Sequence, residues 1–294
     1  LLGSAAMGLA DLGYQPFEGA RLPVPANYAV MYRHALREAS RSWLVRLALV
    51  LGWLPALGKT LILGVGYMAT RGQASVAPSG AAAADGAGAL LASLLSTQTW
   101  VFVFAITLGA GATAVSDDLA ARAFSFFFAK PVARRHYLVG RVGAVASFSL
   151  AMTLGPALLV LAALLATAPT GAHLARAALV LPLVADAAVI ALTLSICAVG
   201  VSALSANRAL ASSTWILLFF VPSVLAAIAS GLADWPYLYL ASLPSLTERV
   251  GEALFQTPPS VELPWALAAL VLAAATALLA GLAAQRVARV EVVQ

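Results

Sequence analysis

"VGAVASFSLAMTLGPALLVLAALLAT", residues 142–167, carries no charged side chain. A helix crosses the hydrocarbon core of a bilayer with about 20 apolar residues, so this run is long enough to span. It is rich in Leu and Ala and lacks the alternation of a transmembrane β-strand. Working outward, five further runs qualify: 43–67, 98–116, 178–204, 211–231 and 263–285. The composition agrees. Of 294 residues, 62% are hydrophobic and 10% charged, with mean hydropathy +0.94. A soluble domain has roughly a quarter charged, so this chain cannot cover itself with polar surface in water. The expected fold is an all-α integral membrane protein with six transmembrane helices. It divides into an N-terminal segment 1–42, a membrane domain 43–285 and a tail 286–294.

The formal charge of +5 matters less than where the cations stand. If the N-terminus is cytoplasmic, the inner segments hold Arg33, Arg37, Arg41, Arg46, Arg122, Lys130, Arg134, Arg135, Arg141, Arg208, Arg286 and Arg289, with Arg21 before them. The outer segments hold only Arg71, Arg176 and Arg249. The bias predicts a multi-pass protein of the cytoplasmic (inner) membrane with both termini inside. It also accounts for the basic balance without a nucleic-acid partner. Cys197 is the only cysteine, so no internal disulfide or cysteine metal cluster is available. The opening residues lack a basic stretch ahead of an apolar run, which argues against a cleaved signal peptide.

The connections differ in character. "RGQASVAPSGAAAADGAGA" (71–89) reads as a flexible outer loop. Arg33, Arg37 and Arg41 recur every four residues, with Tyr28, Tyr32, Leu36 and Ala39 mostly on another face. That predicts an amphipathic helix along the inner membrane surface, which either anchors topology or docks a partner. In the outer segment 232–262, Trp235, Tyr237 and Tyr239 are interface rings. Ser245 and Glu248 then have capping-box spacing behind Pro244. Leu246, Val250 and Leu254 share a face opposite Glu248, Arg249 and Glu252, as expected of an amphipathic helix on the outer surface or a loop helix packed on the spans.

Few residues suggest chemistry. Gly58-Lys59-Thr60 ends like a phosphate-binding loop, but Trp53 stands where the first glycine is needed and the context is a span. Lys59 and Asp186 are charges inside spans, about 10–13 Å below the outer boundary by helix rise. Intramembrane charges are paired or functional, so the two form a structural pair, line a translocation route, or Lys59 snorkels outward. No metal-ligand spacing or nucleophile arrangement occurs, and no catalytic residue is expected. Gly109 and Gly111 give the second span a small face for close helix packing.

One insert remains, "DDLAARAFSFFFAKPVARRHYLVGR" (117–141). Asp118 stands at the membrane exit, Phe124, Phe126, Phe127 and Phe128 follow, and Lys130-Pro131 breaks the helix. Pro131 is placed to start a second helix. The predicted shape is a cytoplasmic elbow of helix, break and helix. Topology anchoring explains its arginines but not its phenylalanines or its proline.

This insert resembles the cytoplasmic loop of the ABC-2 type permeases, membrane subunits of ATP-binding-cassette transporters. That loop typically runs from an acid through Gly-Thr or Gly-Ala and an aromatic stretch to Arg-Pro-Val and Tyr-x-x-Gly-Lys. Here Asp118 matches the acid, Lys130-Pro131-Val132 the middle, and Tyr137-Leu-Val-Gly140-Arg141 the end. Arg122 departs from the pattern, standing where glycine is usual. The resemblance implies that the elbow is a coupling helix docked on a separate ATPase, which would bind the ATP and Mg. Two permease copies, identical or similar, would pair with two ATPases. It assigns coupling to Asp118, Arg122, Phe124, Phe126, Phe127, Lys130, Pro131, Arg134, Arg135 and Tyr137. The chain itself would be neither an enzyme nor a cofactor carrier, and would most simply export a substrate. The alternative is a same-architecture subunit that passes ATPase motion to an extracytoplasmic or motility complex through 232–262. A secondary transporter would more often show internal repeats with matched broken helices, and no clear repeat is seen.

Overall fold

The computed structural model describes residues 26–70, 81–128, 133–169, 171–233 and 235–289. Among them there is no β-strand. Helix α1 (Ala26–Ala39) precedes a first span broken into α2 (Trp43–Leu51) and α3 (Leu54–Thr70). The second span runs through α4 (Ala81–Thr97), α5 (Phe104–Ile106) and α6 (Ala114–Ala120), with π-helical segments at Gln98–Val103 and Thr107–Gly111. Then come α7 (Ala123–Phe128), α8 (Arg134–Ala166), α9 (His173–Ala178), α10 (Val180–Ser202) and α11 (Arg208–Ala233). A 3₁₀ turn (Pro236–Ala241), α12 (Leu243–Leu254) and α13 (Trp265–Ala288) complete the order.

Six helices are long and apolar enough to cross a membrane: 43–69, 86–120, 134–166, 173–202, 208–232 and 265–288. This is the arrangement of a multi-pass membrane protein. Two spans begin earlier than hydropathy placed them. Residues 81–89, expected in the outer loop, belong to α4. Alanine has the lowest cost of any residue in a helix, so an Ala-rich stretch joins the apolar run after it. Residues 71–80 lie outside the described residues. The third span takes Arg134, Arg135 and Arg141 into its first turns.

Helix α8 is the axis. It is flanked by α1, α3 and α10, and 44% of its apolar window is buried, against 17% for the first and last spans. One apolar core lies between α4, α8, α10, α11, α12 and α13, with Leu91, Leu94, Leu194, Trp215 and Leu246 inside. A second, at the elbow end, joins Met31, Val115, Phe124, Tyr137 and Val287.

The second span holds the bundle's irregularity. A π turn carries an extra residue and leaves helix hydrogen bonding imperfect. Hydroxyls repair it: Thr99 Oγ1 donates to the Leu95 carbonyl at 2.8 Å and Thr107 Oγ1 to that of Val103 at 2.9 Å. Gln98 Nε2 donates at 2.7 Å to the carbonyl of Gly52, where the first span breaks. The small face works as expected, since a Cβ on Gly109 would meet Leu44 Cβ at 2.9 Å and one on Gly111 would meet Ala198 Cβ at 2.8 Å. Past this region Ser202 Oγ accepts the N–H groups of Val115 and Ser116 at 2.9 and 3.0 Å. Those donors have no partner inside α6, so α10 caps it.

Helix α1 keeps its arginines exposed, and α12 follows the second of its two readings, a helix packed on the spans. On α1 the buried stripe is Met31, Ala35 and Ala39, packed on α8, while Tyr32 and Leu36 are half-buried. Helix α12 packs against α4, α10, α11 and α13 instead of lying on a surface. Its cap is Ser242, whose Oγ accepts the Ser245 N–H at 3.2 Å, rather than Ser245. Glu248 accepts from Ser96 instead of closing a capping box. Thr247, Gly251 and Glu252 are buried and Leu254 is exposed, so the face read as solvated is largely enclosed.

Candidate functional site

The elbow is a helix, a break and a helix. Helix α7 ends at Phe128 and α8 begins at Arg134, with Ala133 as its N-cap. Lys130 and Pro131 fall at 129–132, outside the described residues, and nothing is described of the Phe126 side chain. The cap is local: His136 Nδ1 accepts the Ala133 N–H at 3.2 Å, and the ring sits edge-on to Tyr28 at 4.1 Å.

Three residues of the motif meet inside the protein. Tyr137 is fully buried and its hydroxyl donates to Asp118 Oδ2 at 2.5 Å. Arg141 Nη2 donates to the same oxygen, and Arg141 Nη1 donates to Glu38 Oε2 on α1. One guanidinium thus ties together α1, the end of the second span and the start of the third. The charge-assisted bonds are of the stronger kind, and the planar fork lets one side chain serve two carboxylates. Gly140, one residue earlier, is where α1 comes closest: a Cβ there would stand 2.8 Å from Met31 Cβ and 3.0 Å from the Tyr32 nitrogen. Asp117, beside Asp118, faces the other way, 3.6 Å from Arg208.

The aromatics divide. Phe124 is buried against Tyr137, ring centroids 5.0 Å apart. Phe127 is half-buried between Tyr137 and His34, at 5.8 and 5.9 Å. Arg134 and Arg135 are exposed at the start of α8. Arg122 is exposed and has φ 53°, between α6 and α7. A left-handed backbone is costly for a side chain and free for glycine. That explains physically why a glycine suits this position, and why Arg122 is strained in it.

Glu38 and Arg141 were not among the candidates. The signal for Glu38 was its sign, an acid in a helix otherwise patterned by Arg33, Arg37 and Arg41. The signal for Arg141 was that it ends the motif.

The intramembrane charges do not meet. Lys59 Nζ donates to Ser93 Oγ at 2.9 Å, and no ion pair joins it to Asp186 among the described residues. Asp186 is 2% exposed, and its Oδ1 has no hydrogen-bond partner among the described residues. It lies against Gly251 of α12. Asp186 lines a polar cavity together with Ser93, the residue to which Lys59 is bonded. No group of three or more His, Cys, Asp or Glu among the described residues is arranged to hold a metal.

Compared with known proteins, the chain matches no family model, and no curated protein sequence matches it.

Proposed function

We propose that this chain is the permease subunit of an ABC-2 type ATP-binding-cassette transporter, moved by a separate ATPase that docks at the elbow. The observation that carries the reading is the closure of Asp118, Tyr137 and Arg141 on one another and on Glu38. The residues that match the ABC-2 loop pattern do distinct mechanical jobs. Asp118 and Arg141 lock the end of one span to the start of the next, and Gly140 admits α1. A push on the elbow would therefore move α1, α6 and α8 together.

Within this reading the coupling residues fall into two groups. Asp118, Phe124 and Tyr137 hold the elbow from inside. Phe127, Arg134 and Arg135 would form the docking surface, to which the sequence motif adds Phe126, Lys130 and Pro131. Aromatic and arginine side chains are the residue types that carry interface energy. Arg122 sets the turn between α6 and α7. The cations gathered at the elbow end support a cytoplasmic location for that end and for both termini, in an inner-membrane protein. There α1 would lie along the membrane surface with its exposed Arg33 and Arg37. The ATPase would supply the ATP and Mg site, and a second permease copy would complete the unit. Export of an unidentified substrate is the simplest output.

A second reading, transmission of motion to an extracytoplasmic complex, is favoured by one observation: Trp235 and Tyr237 are exposed at the opposite end, beside α12. The test of the main reading is affinity purification from native membranes, scored for a copurifying ATPase. Phe127→Ala with Arg134→Glu is expected to reduce its recovery and the nucleotide-driven activity at least about tenfold, as loss of hot-spot contacts would. Full recovery and activity with the folded variant would refute docking at the elbow.

A further inference from the structure

A cavity of about 180 Å³ lies between α4, α10 and α12, at the end of the bundle opposite the elbow. Its wall includes Ser93, Ser96, Trp100, Asp186, Glu248 and Glu252. A single water needs only about 15 Å³ of such space, so the cavity can take a group larger than a lone ion or water.

The charges around it do not balance. Glu252 has its counter-ion, since its Oε1 accepts the Ser260 N–H at 2.9 Å and its Oε2, which has no hydrogen bond among the described residues, lies 3.6 Å from Arg249 Nη1. Among the described residues Glu248 accepts the Ser96 hydroxyl alone, at 2.8 Å. Lys59 is held on the far side of Ser93 by its 2.9 Å bond. Asp186 is buried with its Oδ1 unpartnered. A carboxylate taken out of water must be neutralised or paired. Among the described residues the wall carries three carboxylates and no cation: Arg249 pairs with Glu252 and Lys59 is bonded to Ser93, which leaves Asp186 without a counter-ion. The carboxylates are too dispersed to chelate a metal. Carboxylate and hydroxyl oxygens in the wall are acceptors for a three-donor head, and the Trp100 ring favours a cation over its face.

We propose that this cavity binds a primary ammonium group, with Asp186 as its counter-ion. The ammonium belongs either to a free small amine or to an aminophospholipid headgroup. The site stands apart from the elbow and does not depend on an ATPase.

The test uses the full chain in phosphatidylcholine nanodiscs, without any ATPase, titrated calorimetrically with ethanolamine and with ethylene glycol as the neutral counterpart. A parallel arm compares thermal unfolding in nanodiscs with and without phosphatidylethanolamine. Saturable ethanolamine binding, absent for ethylene glycol, is expected. Asp186→Asn should weaken it at least about tenfold, the loss of one charge-assisted hydrogen bond, while Asp117→Asn at the opposite end leaves it unchanged. A stabilisation seen only with phosphatidylethanolamine, and lost in Asp186→Asn, assigns the headgroup instead. Equal responses to ethanolamine and ethylene glycol, no response to either amine source, or full binding by Asp186→Asn would overturn the proposal. If Asp186→Asn does not fold, the wild-type comparison of amine with neutral counterpart decides alone.

Discussion

Replacing Arg141 with methionine tests the lock at the elbow most directly. The side chain of Arg141 is 4% exposed and that of Asp118 11%, so this contact behaves as a buried pair. Glu38 is 43% exposed, and its share is screened by solvent to about 1 kcal/mol or less. Methionine keeps the apolar stem and removes the charge. Asp118 is then left in the protein with the Tyr137 hydroxyl alone, and stranding one partner of a buried pair costs about 3–5 kcal/mol. Adding Asp118→Asn removes the stranded charge. The double variant should therefore be less destabilised than the sum of the single ones by more than about 1 kcal/mol. Glu38→Gln alone should cost less than about 1 kcal/mol. The assay is unfolding in mixed micelles by increasing SDS, followed by circular dichroism. If Arg141→Met unfolds within about 1 kcal/mol of wild type, or if the two substitutions simply add, the guanidinium does not hold these helices together.

Other outcomes follow from backbone geometry. Arg122→Gly should raise stability by up to about 1 kcal/mol in the same assay, because glycine removes the strain of a positive φ. A loss of stability would mean that the Arg122 side chain outweighs that strain. Gly140→Ala should cost about 1–3 kcal/mol, since its Cβ meets Met31 and the Tyr32 backbone. Gly281→Ala, with nothing within 4 Å, should cost nothing or gain up to about 1 kcal/mol from helix propensity. Equal effects at the two glycines would mean that α1 can give way at Gly140.

Much of this architecture was legible in the chain. Hydrophobic length alone marks six spans. The start of the second span was misread because hydropathy windows weigh Gly and Ala below Leu, although alanine continues a helix well. The polar face of α12 was misread for a different reason. Periodicity shows that a helix has two faces, but not which neighbours exist to cover them. Helix α12 looked half-solvated because Glu248, Arg249 and Glu252 share a side. In the bundle those residues face Ser96, the Leu263 carbonyl and the Ser260 N–H.

The candidate site divides along the same line. The motif from Asp118 to Arg141 could be quoted from the sequence, yet its physical meaning could not. Phe124 reads as a coupling residue in the string and is buried against Tyr137 in the fold. Arg122 reads as a mere departure until its positive φ shows what glycine would do there. Lys59 and Asp186 read as partners because their depths match. Depth is set by distance along each helix, whereas pairing depends on which way each helix turns its side chains.

By itself, then, the sequence determined the all-helical class, the six spans and the gathering of cations toward one end. These depend on local quantities: apolar length and charge position. Only the tertiary structure decided that Arg141 reaches Glu38, 103 residues away, and that α12 enters the bundle to leave Asp186 buried beside a cavity. Those contacts depend on helix rotation and on close approach at Gly140 and Gly251, and no local pattern in the chain encodes either.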